Sequence, residues 1–165
     1  MARITFKNQS EYFLKLKQFE AHFMKDETLE RAAARGAEVV ADEIRKNLEG
    51  LPNEKFRKLK EGEKFNVLSA SAKNDLAAGF GLSPMRRDNG FVHTKAGFEG
   101  YGSYPTKAYP QGVPIPLIAR AVESGSSVHE KMPFVRPAVS ATRKEAIKAM
   151  EESVDDDLKK IFKEE

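Results

Sequence analysis

The chain contains no cysteine among its 165 residues. It therefore has no disulfide bond and no metal site built from thiolates, which suits a cytosolic origin. Long apolar runs are also missing, since the longest are only a few residues and a membrane-spanning helix needs about 20. The opening residues, MARITFKNQSEYF, lack the apolar core of a secretion signal. We therefore expect a soluble protein without membrane contact.

The motifs that usually mark catalysis are missing as well. The chain has no Walker-type phosphate loop, no HExxH, no GxSxG and no cysteine nucleophile. Its glycine-rich stretches do not lead from a strand into a helix, as a phosphate cradle would. Neighbouring helical residues such as Asp155–Asp157 point about 100° apart and do not converge on one ion. The three histidines lie in three different predicted elements: His22, His93 and His129. We predict no catalytic, cofactor or metal site, and an unrecognised enzyme is the least favoured hypothesis.

What is present is an ordinary globular composition with an uneven charge distribution. Hydrophobic residues make up 40% and charged residues 32% of the chain, which predicts one domain over residues 1–165. Ten basic residues against five acidic ones lie within 55–107, whereas the C-terminal segment is acidic. The basic segment is a solvated loop, a surface for a neighbouring subunit, or a surface facing DNA. Its candidate DNA-facing residues are Lys58, Lys60, Arg86, Arg87 and Lys95.

Hydrophobic spacing predicts helices in the first third of the chain. A short strand at 3–6 is followed by a helix from about residue 9, and a break at Lys25-Asp26 precedes a longer helix that stops at Gly50 and Pro52. The apolar stripe of the first helix is Tyr12, Phe13, Leu16, Phe19 and Phe23, and that of the second is Leu29, Ala33, Ala37, Val40, Ile44 and Leu48.

The middle of the chain has the pattern of strands and loops. Residues 53–74 predict a loop with one helical turn, and residues 75–85 and 89–100 predict two strands of a hairpin. The second strand is entered through the turn dipeptide Asn89-Gly90. A long loop over about 83–116 carries four prolines and three tyrosines between residues 101 and 116. We interpret it as a loop that needs a surface to pack against.

The last third predicts a short helix with Pro116 in its first turn, ended by Gly125, and a long helix at about 137–163. The buried stripe expected on the long helix is Val139, Ile147, Met150, Val154, Leu158 and Ile161. The fold class is therefore α+β: a small antiparallel sheet or hairpin packed against two N-terminal helices and a long C-terminal helix. That helix, about 40 Å long, would reach beyond the domain or along a partner.

The segment IARAVESGSSVHEKMPFVRPAV (118–139) resembles the tail-component family of long-tailed bacteriophages and related prophage elements. Members are described as tail-completion or head–tail joining proteins. Their short helix leads into a turn beginning with glutamate, followed by a Pro-Phe-x-Arg-Pro-Ala stretch and a long charged helix. Here these parts are Glu123 to Ser127 and Pro133 to Ala138, and the stretches at 39–52 and 97–104 are similar to members from Gram-positive bacteria.

The same motif has a physical rationale of its own. Gly125 ends a helix in left-handed geometry, and Pro133 and Pro137 restrict the connection so that Phe134 is ordered at a lower entropy cost. The Arg136 guanidinium is placed to reach Glu123 or an acidic group of a neighbour. Two alternatives stay open: the motif is a helix–loop–helix core within one subunit, or it contacts another subunit.

The resemblance implies a structural virion protein of the phage neck or tail, assembled in the host bacterial cytoplasm. We expect a homo-oligomeric ring, hexameric like most tails, around the DNA path. Its expected partners are the connector or adaptor, the tail tube or terminator proteins, and possible nonspecific contact with DNA in the lumen. The expected interface residues are Glu123, Gly125, Ser126, Pro133, Phe134, Arg136, Pro137, Tyr101, Tyr104 and Tyr109. The alternative function is nonspecific nucleic-acid binding through the basic segment 55–107.

Overall fold

The computed structural model describes residues 26–54 and 60–163, together with Leu14, Lys17 and Glu20, which are helical and exposed. The elements in order are α1 (Asp26–Glu49), α2 (Ala70–Gly79), β1 (Phe80–Leu82), β2 (Arg86–Asp88), β3 (Phe91–His93), β4 (Ala96–Phe98), α3 (Ile115–Ser124) and α4 (Val135–Lys163). The predicted α+β class is confirmed. The predicted strand at 3–6 and most of the helix from residue 9 lie outside the described residues. In the described ranges, no helix is both long and apolar enough to cross a membrane.

Helices α1 and α4 pack against each other in antiparallel directions. Near one end of the pair, the Asn47 Nδ2 donates to the carbonyl of Phe134 at 3.1 Å. At the other end, the Arg31 Nη2 donates to Asp157 Oδ2 at 2.6 Å. Between these points, a Cβ built on Gly36 would overlap Met150 and would lie 3.1 Å from the carbonyl oxygen of Ala146. The two backbones therefore come close, and only small side chains fit between them.

The buried stripe predicted for α4 is wrong for three of its six residues, because this close packing admits other residues instead. Its buried residues are Ala138, Thr142, Ala146 and Asp157, whereas Val139, Ile147 and Met150 are exposed by 45%, 47% and 36%. Val154 and Leu158 are half-buried, and the side chain of Ile161 lies outside the described part. The prediction ranked residues by hydrophobicity, but the α1 contact selects for small size instead.

The stripe predicted for α1 is partly confirmed. Ile44 and Leu48 are buried, as predicted. In the N-terminal half, the face of α1 that is buried against α4 is displaced by one residue from the predicted stripe. The residues predicted there (Leu29, Ala33, Ala37, Val40) are half-buried, and the buried ones are Thr28, Ala32, Gly36 and Ala41.

Asp157 holds the far end of the α1–α4 pair and gives a pH-dependent contribution to stability. Its side chain is 9% exposed and accepts from Arg31 and from Lys160. The hydrogen bond from Arg31 lowers the Asp157 pKa below its ordinary value of 3.8, against the opposing effect of burial. A carboxyl group with a lowered folded-state pKa stabilises the protein above its unfolded pKa, and this stabilisation is lost as the pH falls through the folded pKa.

We therefore expect Asp157→Asn to lower the free energy of unfolding at pH 7 by about 1–3 kcal/mol. The difference from the unmodified chain should shrink as the pH falls below 3.8, which urea unfolding at a series of pH values would measure. Asp156→Asn, on the exposed side of α4, is the control. A difference that stays constant down to the lowest pH would contradict this account.

The predicted strand at 75–85 is wrong for residues 75–79. They belong to α2, whose N-cap is Ser69, with its hydroxyl accepting from the backbone N–H of Ala72 at 3.1 Å. Lys73 on α2 donates to the carbonyls of Glu49 and Leu51 at 2.6 and 2.8 Å, so it satisfies acceptors at the end of α1. This cap and the fully buried Leu76 stabilise a helix, and the strand begins only at residue 80.

The predicted hairpin is confirmed, in two sections. β1 pairs antiparallel with β4, with Phe80 opposite Phe98, and β2 pairs antiparallel with β3, with Arg86 opposite His93. Asn89 and Gly90 form the turn with φ of 50° and 82°, as expected for this dipeptide. Because strands occupy the first part of the interval 83–116, the irregular loop is shorter than predicted and spans residues 99–114.

The ends of the last two helices agree closely with the sequence prediction. α3 carries Pro116 in its first turn and is followed by Gly125 at φ 80°. α4 begins two residues earlier than predicted, and Pro137 lies in its first turn. The described core joins α1, α2, α3 and the start of α4, and its buried residues are Ile44, Leu48, Leu51, Leu68, Leu76, Ile115, Ala119, Val122, Phe134 and Ala138.

Candidate subunit interface

The connection between α3 and α4 is organised by Glu123. The backbone N–H groups of Phe134 and Val135 donate to Glu123 Oε2 at 2.7 and 2.9 Å. The N–H of Arg136 donates to Oε1 at 3.1 Å. The last residues of α3 thus supply the acceptor for the first N–H groups of α4, which have no partner within their own helix. A carboxylate at this place is also favoured by the dipole of α4.

The predicted contact between Glu123 and Arg136 is confirmed, but it is the weaker part of this arrangement. The Arg136 Nε lies 3.5 Å from Glu123 Oε1, and the arginine side chain is 66% exposed. A second contact joins its guanidinium to the Ser124 hydroxyl at 3.4 Å. Solvent screens an ion pair this exposed, so Glu123 acts mainly through the backbone of α4.

The turn after α3 is held by its own hydrogen bonds. The Ser126 hydroxyl accepts from the N–H groups of Val128 and His129 at 3.2 and 3.0 Å. Lys64 donates to the Ser126 carbonyl at 2.9 Å. Gly125 adopts positive φ, and a Cβ there would lie 3.3 Å from the backbone nitrogen of Lys131. Gly125 and Ser126 therefore shape the turn within the subunit.

Phe134 anchors the same connection in the core. It is 1% exposed, and its ring meets Phe98 of β4 edge-on at a centroid distance of 5.8 Å. The flanking Pro133 and Pro137 are exposed. Of the predicted interface set, Glu123, Gly125, Ser126 and Phe134 therefore have contacts within the subunit. Pro133, Pro137 and Arg136 are exposed, and Arg136 also contacts Glu123.

The three tyrosines predicted for the interface are exposed on the loop 99–114. Tyr101, Tyr104 and Tyr109 are 61%, 72% and 38% exposed. The loop that carries these tyrosines is nevertheless held by hydrogen bonds within its own backbone. The Gly102 N–H donates to the Val113 carbonyl at 2.8 Å, and the N–H of Tyr109 donates to the Thr106 carbonyl at 3.1 Å. The sequence suggested that this loop needs a surface to pack against, and the structure shows that part of that surface is the loop itself.

The two ends of the loop come into backbone contact at Gly102 and Gly112. A Cβ on Gly112 would overlap the Gly102 carbonyl, and its φ of 107° favours glycine. Asp75 of α2 accepts from the N–H and the hydroxyl of Ser103 at 2.9 and 3.1 Å. The loop is thereby tied to α2.

An apolar cleft of about 470 Å³ lies between α2, α3, this loop and the turn at residues 128–129. Its walls include Leu68, Ala72, Val113, Ile118 and Ala121, and its rim carries the exposed Tyr104, Leu117 and Val128. Leu117 and Val128 are 42% and 53% exposed. The sequence analysis missed this cleft, because its lining comes from segments far apart along the chain.

His129 also lines the cleft. Burial lowers its pKa below the ordinary 6.5, although the backbone hydrogen bond with Phe65 opposes the shift. The Phe65 ring lies 5.5 Å from the imidazole, centroid to centroid. With this lowered pKa, His129 adds no positive charge to the cleft at neutral pH, and the lining also includes Asp75.

The basic residues predicted to face DNA are divided between two places. Arg86, Arg87 and Lys95 are exposed on the hairpin, whose tip also presents Phe91 at 76% exposure. Lys60 is exposed on a separate loop, and Lys58 lies outside the described residues.

Among the residues that the structure describes, no group of three or more His, Asp or Glu side chains is placed to hold a metal ion.

No known protein-family model matches the chain, and no match was found among curated proteins or solved structures.

Proposed function

We propose that this chain is a structural subunit of a bacteriophage neck or tail, located at the head–tail junction of the virion. It assembles into a closed hexameric ring around the DNA path and joins the tail tube or terminator to the connector. The observation that carries this proposal is the apolar cleft together with the exposed tyrosines of the adjoining loop 99–114. The order of motifs in residues 118–139 indicates which kind of assembly the surface serves.

The cleft and the loop form one continuous surface suited to a protein partner. Tyr104 belongs to both, and Tyr101 lies on the same loop. Exposed apolar surface gathered in one place marks interaction sites more often than scattered apolar residues do. Tyrosine is enriched in interfaces because its ring gives contact area and its hydroxyl stays solvated.

A ring requires two different surfaces on each subunit, since a contact between unlike patches repeats from copy to copy and forms a ring when the rotation between subunits closes. The cleft supplies one of them. The Glu123 cap supports this arrangement, because it fixes the angle between α3, which lines the cleft, and α4. A fixed angle between these helices lets each added subunit meet the next in the same geometry.

We expect Leu117→Arg to weaken subunit association by about tenfold or more, because a charge would enter the apolar cleft. Leu117 is already 42% exposed, so the melting temperature should change little. Analytical ultracentrifugation and negative-stain electron microscopy would measure the loss of rings. Ala77→Arg adds the same charge on an exposed position of α2 outside the cleft and should still form rings. Rings formed equally well by Leu117→Arg would show that the cleft is not the interface, and a purified chain that stays monomeric would refute the assembly itself.

The hairpin favours a second candidate function, nonspecific binding of nucleic acid. Two arginines, a lysine and an exposed phenylalanine lie together on it, and a basic ribbon of this kind suits phosphate contacts. Such binding is compatible with a ring around DNA, and it would also serve a free DNA-binding protein.

The salt dependence of DNA affinity tests this second candidate. Each phosphate contact contributes roughly 0.9 to the slope of log affinity against log salt. Replacing Arg86 and Arg87 with alanine should therefore reduce that slope by about 2. Lys144→Ala with Lys148→Ala, which removes the same charge from α4, is the control. Equal slopes for the two double variants would rule out the hairpin as the DNA surface.

A further inference from the structure

The tip of the hairpin presents Phe91, whose side chain is the most exposed of the large hydrophobic ones in the described part of the chain, at 76%. It directly follows the turn Asn89-Gly90 and is paired with Asp88 across the hairpin. A buried aromatic ring contributes much of the binding energy of a protein interface. A phenyl ring held in solvent at the end of a hairpin is therefore a candidate anchor for a partner.

The hairpin holds this ring in a defined place. Between its two sections, the Ser83 N–H donates to the Lys95 carbonyl at 2.8 Å, and the Thr94 hydroxyl donates to the Ser83 carbonyl at 2.6 Å. At its base, the rings of Phe80 and Phe98 lie 5.2 Å apart, centroid to centroid. A partner would therefore meet an arm that is already ordered, and little conformational entropy would be lost on binding.

The apolar cleft between α2, α3 and the loop 99–114 has the size and chemistry to accept a phenyl ring. Its volume is about 470 Å³, and an apolar cavity of roughly 150 Å³ already accommodates benzene. Leu117 and Val128 at its rim are 42% and 53% exposed. The cleft is therefore open to a side chain that enters from outside.

Phe91 and the cleft of the same subunit do not meet. In the described chain, the lining of the cleft includes no residue of α1 or of the hairpin. Strand β3, which carries Phe91, instead lies against α1. A contact between the ring and the cleft therefore has to join two copies. It would be a contact between unlike patches, the type that forms a ring when the rotation between subunits closes.

The charges beside the two patches are complementary. Arg86 is opposite His93, two residues after Phe91, so its guanidinium and the phenyl ring lie on one face of the hairpin. The hairpin as a whole has three basic residues against one acidic residue, Asp88. The cleft lining contains the carboxylate of Asp75. Its Oδ2 accepts from the loop, and no other described residue donates a hydrogen bond to its Oδ1.

We propose that Phe91 of one copy inserts into the apolar cleft of the next copy, with Arg86 directed to Asp75 of that copy. This inference rests on the proposed function, because it names the second of the two unlike surfaces that a ring requires. The phenyl ring buries about 150–250 Å², whereas a standard interface buries about 800 Å² on each partner. The exposed tyrosines of the loop 99–114, beside the cleft, add to the contact area.

Two variants that each lack one of the surfaces test this contact when they are mixed. Phe91→Ala removes the ring and keeps the cleft, whereas Leu117→Arg disables the cleft and keeps the ring. Each alone should associate about tenfold or more weakly than the unmodified chain. An equimolar mixture should form dimers that grow no further, because one intact hairpin meets one intact cleft. Analytical ultracentrifugation, at a concentration where the unmodified chain forms rings, would measure this.

The matched control is Ile147→Ala, which removes an apolar side chain that is 47% exposed on α4. It should form rings as the unmodified chain does. In dilute, unassembled subunits, Phe91→Ala should leave the melting temperature unchanged, because the ring is exposed there. Loss of rings in this variant would then report the contact and not the fold.

The other outcomes are distinguishable. Rings formed equally well by Phe91→Ala, while Leu117→Arg stays defective, would overturn this contact and leave the cleft as the interface of the proposed function. A mixture of folded variants that gives no dimers would also overturn it, because the cleft would then meet a surface other than the hairpin. An unmodified chain that stays monomeric would refute the proposed function, and this contact with it.

Fluorescence tests the insertion without removing the anchor. The chain has no tryptophan, so Phe91→Trp introduces a single reporter at the hairpin tip. Its emission should shift to shorter wavelength when the concentration is raised and rings form, and adding Leu117→Arg should abolish that shift. Ile147→Trp should show the same emission at all concentrations. Emission of a solvated indole in assembled Phe91→Trp rings would refute the insertion.

Discussion

Phe134→Ala is expected to lower the free energy of unfolding by about 3–5 kcal/mol. Phe134 is 1% exposed, and it touches Phe98 of the hairpin while its carbonyl accepts from Asn47 of α1. Truncation leaves a cavity where three parts of the fold meet. Domains of ordinary size have total stabilities of about 5–15 kcal/mol, so this loss would be a large fraction. Urea unfolding followed by circular dichroism would measure it.

Phe91→Ala is the matched control, because the same side chain is removed from a position that is 76% exposed. We expect its effect to stay within about 0.5 kcal/mol. If both variants lost similar stability, Phe134 would not be the anchor of the α3–α4 connection.

Glu123→Ala is expected to cost about 3 kcal/mol. Three backbone N–H groups at the start of α4 donate to this carboxylate. Because N–H groups at a helix start can bond to water instead, we expect the loss of about one bond to a charged group, roughly 1.5–3 kcal/mol. The favourable interaction with the helix dipole adds roughly 0.3–1 kcal/mol. Urea unfolding would measure the loss, and hydrogen exchange should show faster exchange at the start of α4.

Two further variants separate capping from ion pairing. Glu123→Gln keeps one oxygen acceptor and should recover part of the stability. Arg136→Ala should cost less than about 1 kcal/mol, because its side chain is 66% exposed. A double-mutant cycle with coupling well above that value would instead make the ion pair the main contribution of Glu123.

Local signals in the sequence were sufficient where backbone geometry decides the outcome. Asn89-Gly90 predicted the hairpin turn, and Gly125 predicted the end of α3, because few residues accept positive φ. They were insufficient at residues 75–79, where glycines and apolar residues suggested a strand. The Ser69 cap and the burial of Leu76 against other elements favour a helix there, and burial is not visible in a local pattern.

The candidate site was predictable only in part. The exposed tyrosines and the Glu123–Arg136 contact followed from residue type and spacing. The cleft did not, because Leu68, Val113, Leu117 and Val128 meet only when the chain folds. The role of Glu123 as an acceptor for three backbone groups was missed for a similar reason, because residue type and spacing do not show which backbone N–H groups a carboxylate meets in the fold. On α4, hydrophobicity predicted the buried stripe wrongly because the distance between helices was unknown.

The backbone contact between Gly102 and Gly112 closes residues 103–111 of the loop 99–114 into a ring of their own. Gly102 and Gly112 touch through their backbones, so the two ends of the tip are already side by side. A peptide inserted near Lys107 would start and finish at neighbouring points, which makes this a natural attachment point for an epitope tag or a fluorescent label. Such a label leaves the packed helices unaltered, and because it lies between Tyr104 and Tyr109 of the proposed interface, it would block assembly if this loop contacts a neighbouring subunit.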